Sequence, residues 1–183
     1  MRVPSVVFMV MLLTAGPARA QEPQVFGDLA EVMRGILFPN SNILFDAQTN
    51  NPDDPVEAVE GDSTSERFAN IYTGWEALEN AAVALVESAN LIELPRNCEL
   101  NEEEAGRIGA PAPVEREDWQ QYVAGLRAAG QRAYEWAQAR VYDDFDVILM
   151  TGDVAEACSN CHGVYRDSYT DPPTPRCTPP AED

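Results

Sequence analysis

The chain has 183 residues, with 31 acidic side chains against 12 basic ones, every one of them Arg, for a formal charge of −19. A surface this acidic repels phosphate backbones and anionic lipid, which argues against nucleic acid or a membrane surface and for a basic partner or none. Beyond the N-terminal segment no stretch approaches the roughly 18 apolar residues of a membrane span.

Residues 1–20 carry Arg2, an apolar run from Val6 to Leu13, a Gly16-Pro17 break and an Ala18-Arg19-Ala20 end. That is the pattern of a secretory signal peptide cut before Gln21. Its removal takes two Arg and no acid, leaving ten basic residues against 31 acidic, a balance of −21. Residues 21–183 suffice for one domain with its own core, and the signal predicts a periplasmic location.

Residues 49–63 and 95–114 have loop composition, and residues 169–183 form a Pro-rich tail. Four helix-length blocks remain, with no alternation of period two long enough for a sheet. In residues 25–48, Val25, Phe26, Leu29, Met33, Ile36 and Leu37 share one helical face. Pro39, within Phe38-Pro39-Asn40-Ser41-Asn42, predicts a kink or a division before Ile43, Leu44 and Phe45 resume the pattern.

Residues 65–94 set Phe68, Ile71, Tyr72, Trp75, Leu78, Ala82, Leu85, Val86 and Ala89 at steps of three and four, the cleanest amphipathic helix in the chain. In residues 115–140, Trp119, Tyr122, Leu126, Ala129, Ala133 and Trp136 alternate steps of three and four, a seam suited to an antiparallel bundle. Glu115, Glu117 and Asp118 stand in its first turn, where the helix dipole favours negative charge. Residues 143–168 place Phe145, Ile148, Leu149, Val154, Ala155 and Ala157 ahead of Cys158, Cys161, His162 and Tyr165. The predicted fold is all-α, an antiparallel four-helix bundle with its first helix kinked at the proline.

Residues 158–162 read Cys-Ser-Asn-Cys-His. C-x-x-C-H is the attachment signature of c-type haem: each thiol adds across a vinyl group to form a thioether, and the imidazole binds iron. On a helix the spacings of three and four project Cys158, Cys161 and His162 toward one face, where one porphyrin meets them together. Two other chemistries share the motif. A thioredoxin-like dithiol wants a strand before the helix, and a zinc site would have to recruit distant Cys98 and Cys177.

With His162 the only His of the chain, bis-histidine ligation is excluded, and a peroxidase-like enzyme would lack a distal His to move protons. The mature chain has two methionines, Met33 and Met150. Met150 lies on the proximal helix, about 18 Å from His162 if that helix is continuous. Met33 lies on the apolar stripe of the first helix, which can face the fourth across a haem. Two outcomes stay open: Met33 is the sixth ligand, or the distal position is open and walled by Leu29, Met33, Leu37 or Phe38. A thioether-bound iron suits electron transfer, whereas an open one admits NO, CO or peroxide.

Cys98 and Cys177 remain, even in number and in an exported chain, and are expected to form a disulfide that pins the tail. Arg34, beside Met33, and Arg166, four residues after His162, are candidates to pair with a haem propionate.

The segment Cys158-Ser-Asn-Cys161-His162-Gly-Val-Tyr165-Arg166 on the last of four helices resembles the class II c-type cytochromes, cytochrome c′ and its low-spin relatives. The resemblance covers nearly all of the mature chain in helix layout and implies haem inside the bundle, His162 proximal and Met33 distal. It further implies, as function, a non-enzymatic single-haem electron carrier, or a five-coordinate NO/CO binder if Met33 stays off the iron. A basic redox partner is the expected company, and bundles of this kind often form homodimers. Pro39, the acidic loops and the Cys98/Cys177 pair depart from the simpler family pattern.

Overall fold

The computed structural model describes residues 24–55, 71–99, 110–166 and Cys177. The signal sequence expected at residues 1–20, the helical start expected at residues 65–70 with Phe68, and the tail other than Cys177 lie outside the described residues.

Capping builds the first helical rod. Asp28 accepts from the Glu31 amide and the Glu31 carboxylate accepts from the Asp28 amide, a reciprocal pair that satisfies two otherwise orphaned donors. Helix α1 (Leu29–Val32) then runs through a π-helical turn (Met33–Leu37) into α2 (Phe38–Asp46). The division expected at Phe38–Asn42 is absent, since those residues are helical; the irregularity falls one turn earlier. Pro39 occupies the first turn of α2, and the wider turn ahead of it carries a bond from the Phe38 amide to the Met33 carbonyl, five residues back. Side chains add donors around it: Asn40 Nδ2 to the Ile36 carbonyl at 2.8 Å, and Asn42 Nδ2 to the Phe38 carbonyl at 2.8 Å.

Helices α3 (Gly74–Ile92), α4 (Glu117–Ala139) and α5 (Asp144–Tyr165) complete four helical layers, with no strand among the described residues. Helix α3 starts later than the sequence suggests. Ile71 and Tyr72 stand before it and are exposed, as is Phe26 ahead of α1, so none of the three joins the core. Among the described residues no helix is long and apolar enough to cross a membrane.

The core follows the expected stripes in α3 and α4: Trp75, Leu78, Ala82, Leu85 and Ala89 face Trp119, Leu126, Ala129 and Ala133, all buried. In α5 the register differs from expectation. Phe145, Ile148 and Leu149 are 65%, 63% and 51% exposed, while Val147, Met150, Thr151 and Val154 point inward. The buried Thr151 hydroxyl donates to the Val147 carbonyl at 2.8 Å, which lets a polar residue occupy the core face at little cost.

Packing is uneven around the bundle. Helices α3 and α4 touch along most of their length, α4 and α5 also pack extensively, and α2 packs on α3. Between the first rod and α5 contact is sparse. The two are tied at one end by a hydrogen bond of 2.9 Å from Tyr142 Oη, in the α4–α5 turn, to the Ala47 carbonyl after α2. At the other end a disulfide joins Cys98 and Cys177, whose Cα atoms are 6.1 Å apart. Cys177 has φ +59°, a left-handed conformation that costs a non-Gly residue about 1–2 kcal/mol and that the surrounding bonds hold in place.

Candidate haem-attachment site

Helix α5 carries the motif near the end of a capped rod. Asp143 accepts from the Phe145 and Asp146 amides, fixing the N-terminus, and the helix then runs 22 residues without interruption, through Gly152. Cys158 and Cys161 both pack half-buried against the core, and neither is in a disulfide. His162, the next residue, is exposed at the edge of the same helix. Burial pushes both thiols up; for Cys161, the neighbouring Cys158 and the Asp118 carboxylate add to it and bring the thiol to about 11. At neutral pH both sulfurs therefore keep their protons, which protects them from premature oxidation to each other.

Around Tyr165, one turn past His162, stands a network the sequence did not disclose. Arg116, immediately before α4, grips Asp118 in a two-pronged ion pair at 3.0 and 3.2 Å, and its Nε also donates to Tyr165 Oη at 3.1 Å. The guanidinium holds the Asp118 carboxyl below its usual range and is itself raised. Tyr165 is pushed up to about 12, by burial first and then by the Asp118 carboxylate. Its ring stacks edge-on with Trp119 and Tyr122, centroids 4.9 and 6.2 Å away. No local signal marks Arg116: it lies 49 residues from Tyr165 in sequence and is remarkable only as a lone cation in an acidic run. A hollow of about 550 Å³ opens beside this network, lined by Arg116, Glu117, Asp118 and Gln121.

The remaining expected site residues divide into two groups. Leu29 and Leu37 are buried in the core, and Met33 and Ile36 are half-buried against it from the π-helical turn. Met150 is buried on α5, well down the helix from His162. Phe38, by contrast, is 68% exposed. Arg34 is exposed and ion-paired to Glu99 at 3.3 Å. Arg166 is exposed and ends α5, its amide donating to the His162 carbonyl at 3.2 Å.

These residues suit a covalently held, apolar, planar group better than a bare ion. Cys98 and Cys177 are bonded to each other, so the zinc site that would have drawn on one of them has lost its fourth ligand. Among the described residues no strand precedes α5, as a thioredoxin-like dithiol would require. Among them, too, the buried Trp119 Nε1 has no hydrogen-bond partner. Two neutral thiols and an imidazole stand within five residues on one helix, which makes only sparse contact with the first rod. Compared with protein-family models, with curated proteins and with solved structures, the chain matches none, so this reading of the site rests on its own residues.

Proposed function

We propose that the chain is an exported, single-haem c-type cytochrome of the class II kind, an electron carrier and not an enzyme. Cys158 and Cys161 hold the haem as thioethers, His162 binds the iron on the proximal side, and Met33 binds it on the distal side. The observation that supports the reading is the Cys158-Ser-Asn-Cys161-His162 motif near the end of α5, its two thiols half-buried against the core, on a helix that makes only sparse contact with the rod carrying Met33. Bound there, haem c supplies a one-electron ferric/ferrous couple, its potential raised by a thioether ligand.

The chain's own residues do the rest. Leu29 and Leu37 keep the distal wall apolar, while the π-helical turn ahead of Pro39 carries Met33. Arg116, fixed by Asp118, holds Tyr165 and with it the last turn of α5, one turn from His162. Arg34 and Arg166 stay the candidates for a propionate partner, Arg34 at the expense of its exposed ion pair with Glu99. The acidic surface suits a basic redox partner, drawn in by long-range attraction.

The test is an absorption spectrum of the matured protein, oxidised and reduced, with and without CO. The expected result is a ferric charge-transfer band diagnostic of iron–thioether bonding, lost in Met33→Ala, and slow CO uptake by the ferrous protein. A wild type without that band that binds CO at once would make the chain a five-coordinate gas binder. A colourless protein after maturation would end the haem reading altogether.

A further inference from the structure

We propose that the Cys98–Cys177 disulfide is a positioning clamp that holds the distal wall at bonding distance from the iron. The proposal rests on the His162/Met33 reading above and assigns to the disulfide a role beyond pinning a tail.

The two half-cystines are wired to opposite walls of the seam. The Cys98 carbonyl accepts from the Ala30 amide at 3.0 Å, and the adjacent Asn97 carbonyl accepts from the Leu29 amide at 2.9 Å. These bonds satisfy the N-terminal donors of α1, so the Cys98 segment is part of the first rod's end. Arg96 reinforces the attachment, its Nη1 donating to the Gly27 carbonyl at 3.3 Å and its Nη2 to the Leu91 carbonyl at 2.7 Å. On the far wall, the Cys177 amide donates to the Tyr165 carbonyl at 2.9 Å, satisfying an orphan acceptor at the C-terminus of α5. Both half-cystines are buried.

The attachment points flank the ligands symmetrically. Ala30 is three residues before Met33, and Tyr165 is three residues after His162, each about 4.5 Å along a helix. The disulfide thus crosses the seam about one turn from each axial residue. Elsewhere the two walls barely touch, and their other tie, the Tyr142–Ala47 hydrogen bond, lies at the opposite end of the bundle. The first rod stays packed on α3 when the disulfide is cut, so the fold survives, while the rod's Met33 end loses its covalent cross-link to the His162 end of α5 and gains freedom there.

The experiment uses matured holoprotein in three forms: wild type, Cys98→Ala/Cys177→Ala, and Tyr142→Phe as the far-end control. The double variant is expected to keep its helical content, to lose the ferric thioether band, and in the ferrous state to bind CO about ten-fold faster or more, because the distal site is then open for a larger share of the time. Tyr142→Phe is expected to keep the band. If the double variant does not fold, ferrous wild type is treated with a phosphine reductant, which cuts the disulfide to two thiols and leaves the thioethers intact, and CO binding is compared before and after. A band and a CO rate unchanged by cutting overturn the clamp and leave Met33 ligation standing. A wild type without the band overturns Met33 ligation and the clamp with it.

Discussion

Raising the pH of the chain before haem attachment should weaken its fold through a single thiol. Cys161 is held near 11 in the folded chain against about 9 when exposed, so the folded thiol keeps a proton that the unfolded one gives up. A group raised in the folded state lends its stability below its unfolded value and loses it as the pH climbs through the folded value. The loss begins near pH 9, reaches about 1 kcal/mol at pH 10 and levels off at about 2–3 kcal/mol past pH 11. Burial raises Cys158 in the same direction and deepens the effect. The assay is urea unfolding followed by circular dichroism at about pH 8 and about pH 10.5, for wild-type apoprotein and for Cys161→Ala. Alanine changes packing equally at both pH values, so the difference between the two falls isolates the thiol. A thioether has no proton to lose, so matured holoprotein should resemble Cys161→Ala here. Parallel falls in wild-type and Cys161→Ala apoprotein would refute the burial of Cys161, and with it the inward placement of the motif.

Further outcomes follow from packing and charge. Gly130→Ala places a methyl 2.9 Å from Val86 Cγ2 and 3.2 Å from both Leu85 Cβ and the Val86 amide nitrogen, while Gly125→Ala on the same helix meets nothing. Both gain about 1 kcal/mol of helix propensity, so their unfolding free energies should differ by the overpacking cost alone, about 1–3 kcal/mol against Gly130→Ala. In α5, Leu149→Ala should leave stability within about 0.5 kcal/mol, whereas Val154→Ala should cost about 1–3 kcal/mol, and equal losses in thermal unfolding would restore the register first read from the sequence. Removing the disulfide should cost about 4 kcal/mol in urea unfolding, because it frees a sequence separation of 79 residues. Stopped-flow association with a lysine-rich redox protein should slow steeply as the screening length shortens from about 30 Å to about 10 Å, and a flat response would remove charge from partner choice.

Helices α3 and α4 were legible because each carries one apolar stripe, and burial followed it from Trp75 to Ala89 and from Trp119 to Ala133, though not at Ile71 and Tyr72 ahead of α3. Helix α5 was not, because it carries two. Phe145, Ile148, Leu149 and Gly152 form one stripe, and Val147, Met150, Val154, Cys158 and Cys161 form another on the opposite side. Periodicity alone cannot choose between two stripes; the neighbours that α4 presents do. The proline was read as a break because an α-helix cannot carry its ring freely, but a chain can widen one turn instead, and that choice depends on what packs against Leu37 and Leu44. The motif and the half-cystine pair were legible from composition, since four Cys and one His allow few arrangements. Arg116 was not, because its value comes from meeting Tyr165 across the fold.

The contrast between the two sides of the bundle explains why the seam lies where it does. The α3–α4 interface is rich in small residues between its larger ones, Ala81, Ala82, Ser88 and Ala89 against Ala129, Gly130, Ala133 and Ala137, all buried. Small side chains let two backbones approach closely, and the near-contact of Gly130 with Leu85 and Val86 shows how closely. Four helices cannot all approach to that distance around one axis; pulling two together at the back spreads the pair opposite. The first rod and α5 are that pair, and they are the two elements that carry Met33 and the Cys158-Cys161-His162 motif. If the proposed haem lies at that front seam, the alanines of the back wall help to make room for it without touching it. Enlarging them should therefore disturb the site as well as the fold: Ala133→Leu would press α3 and α4 apart, narrow the seam, and lower the yield of haem-loaded protein before it abolished helical structure.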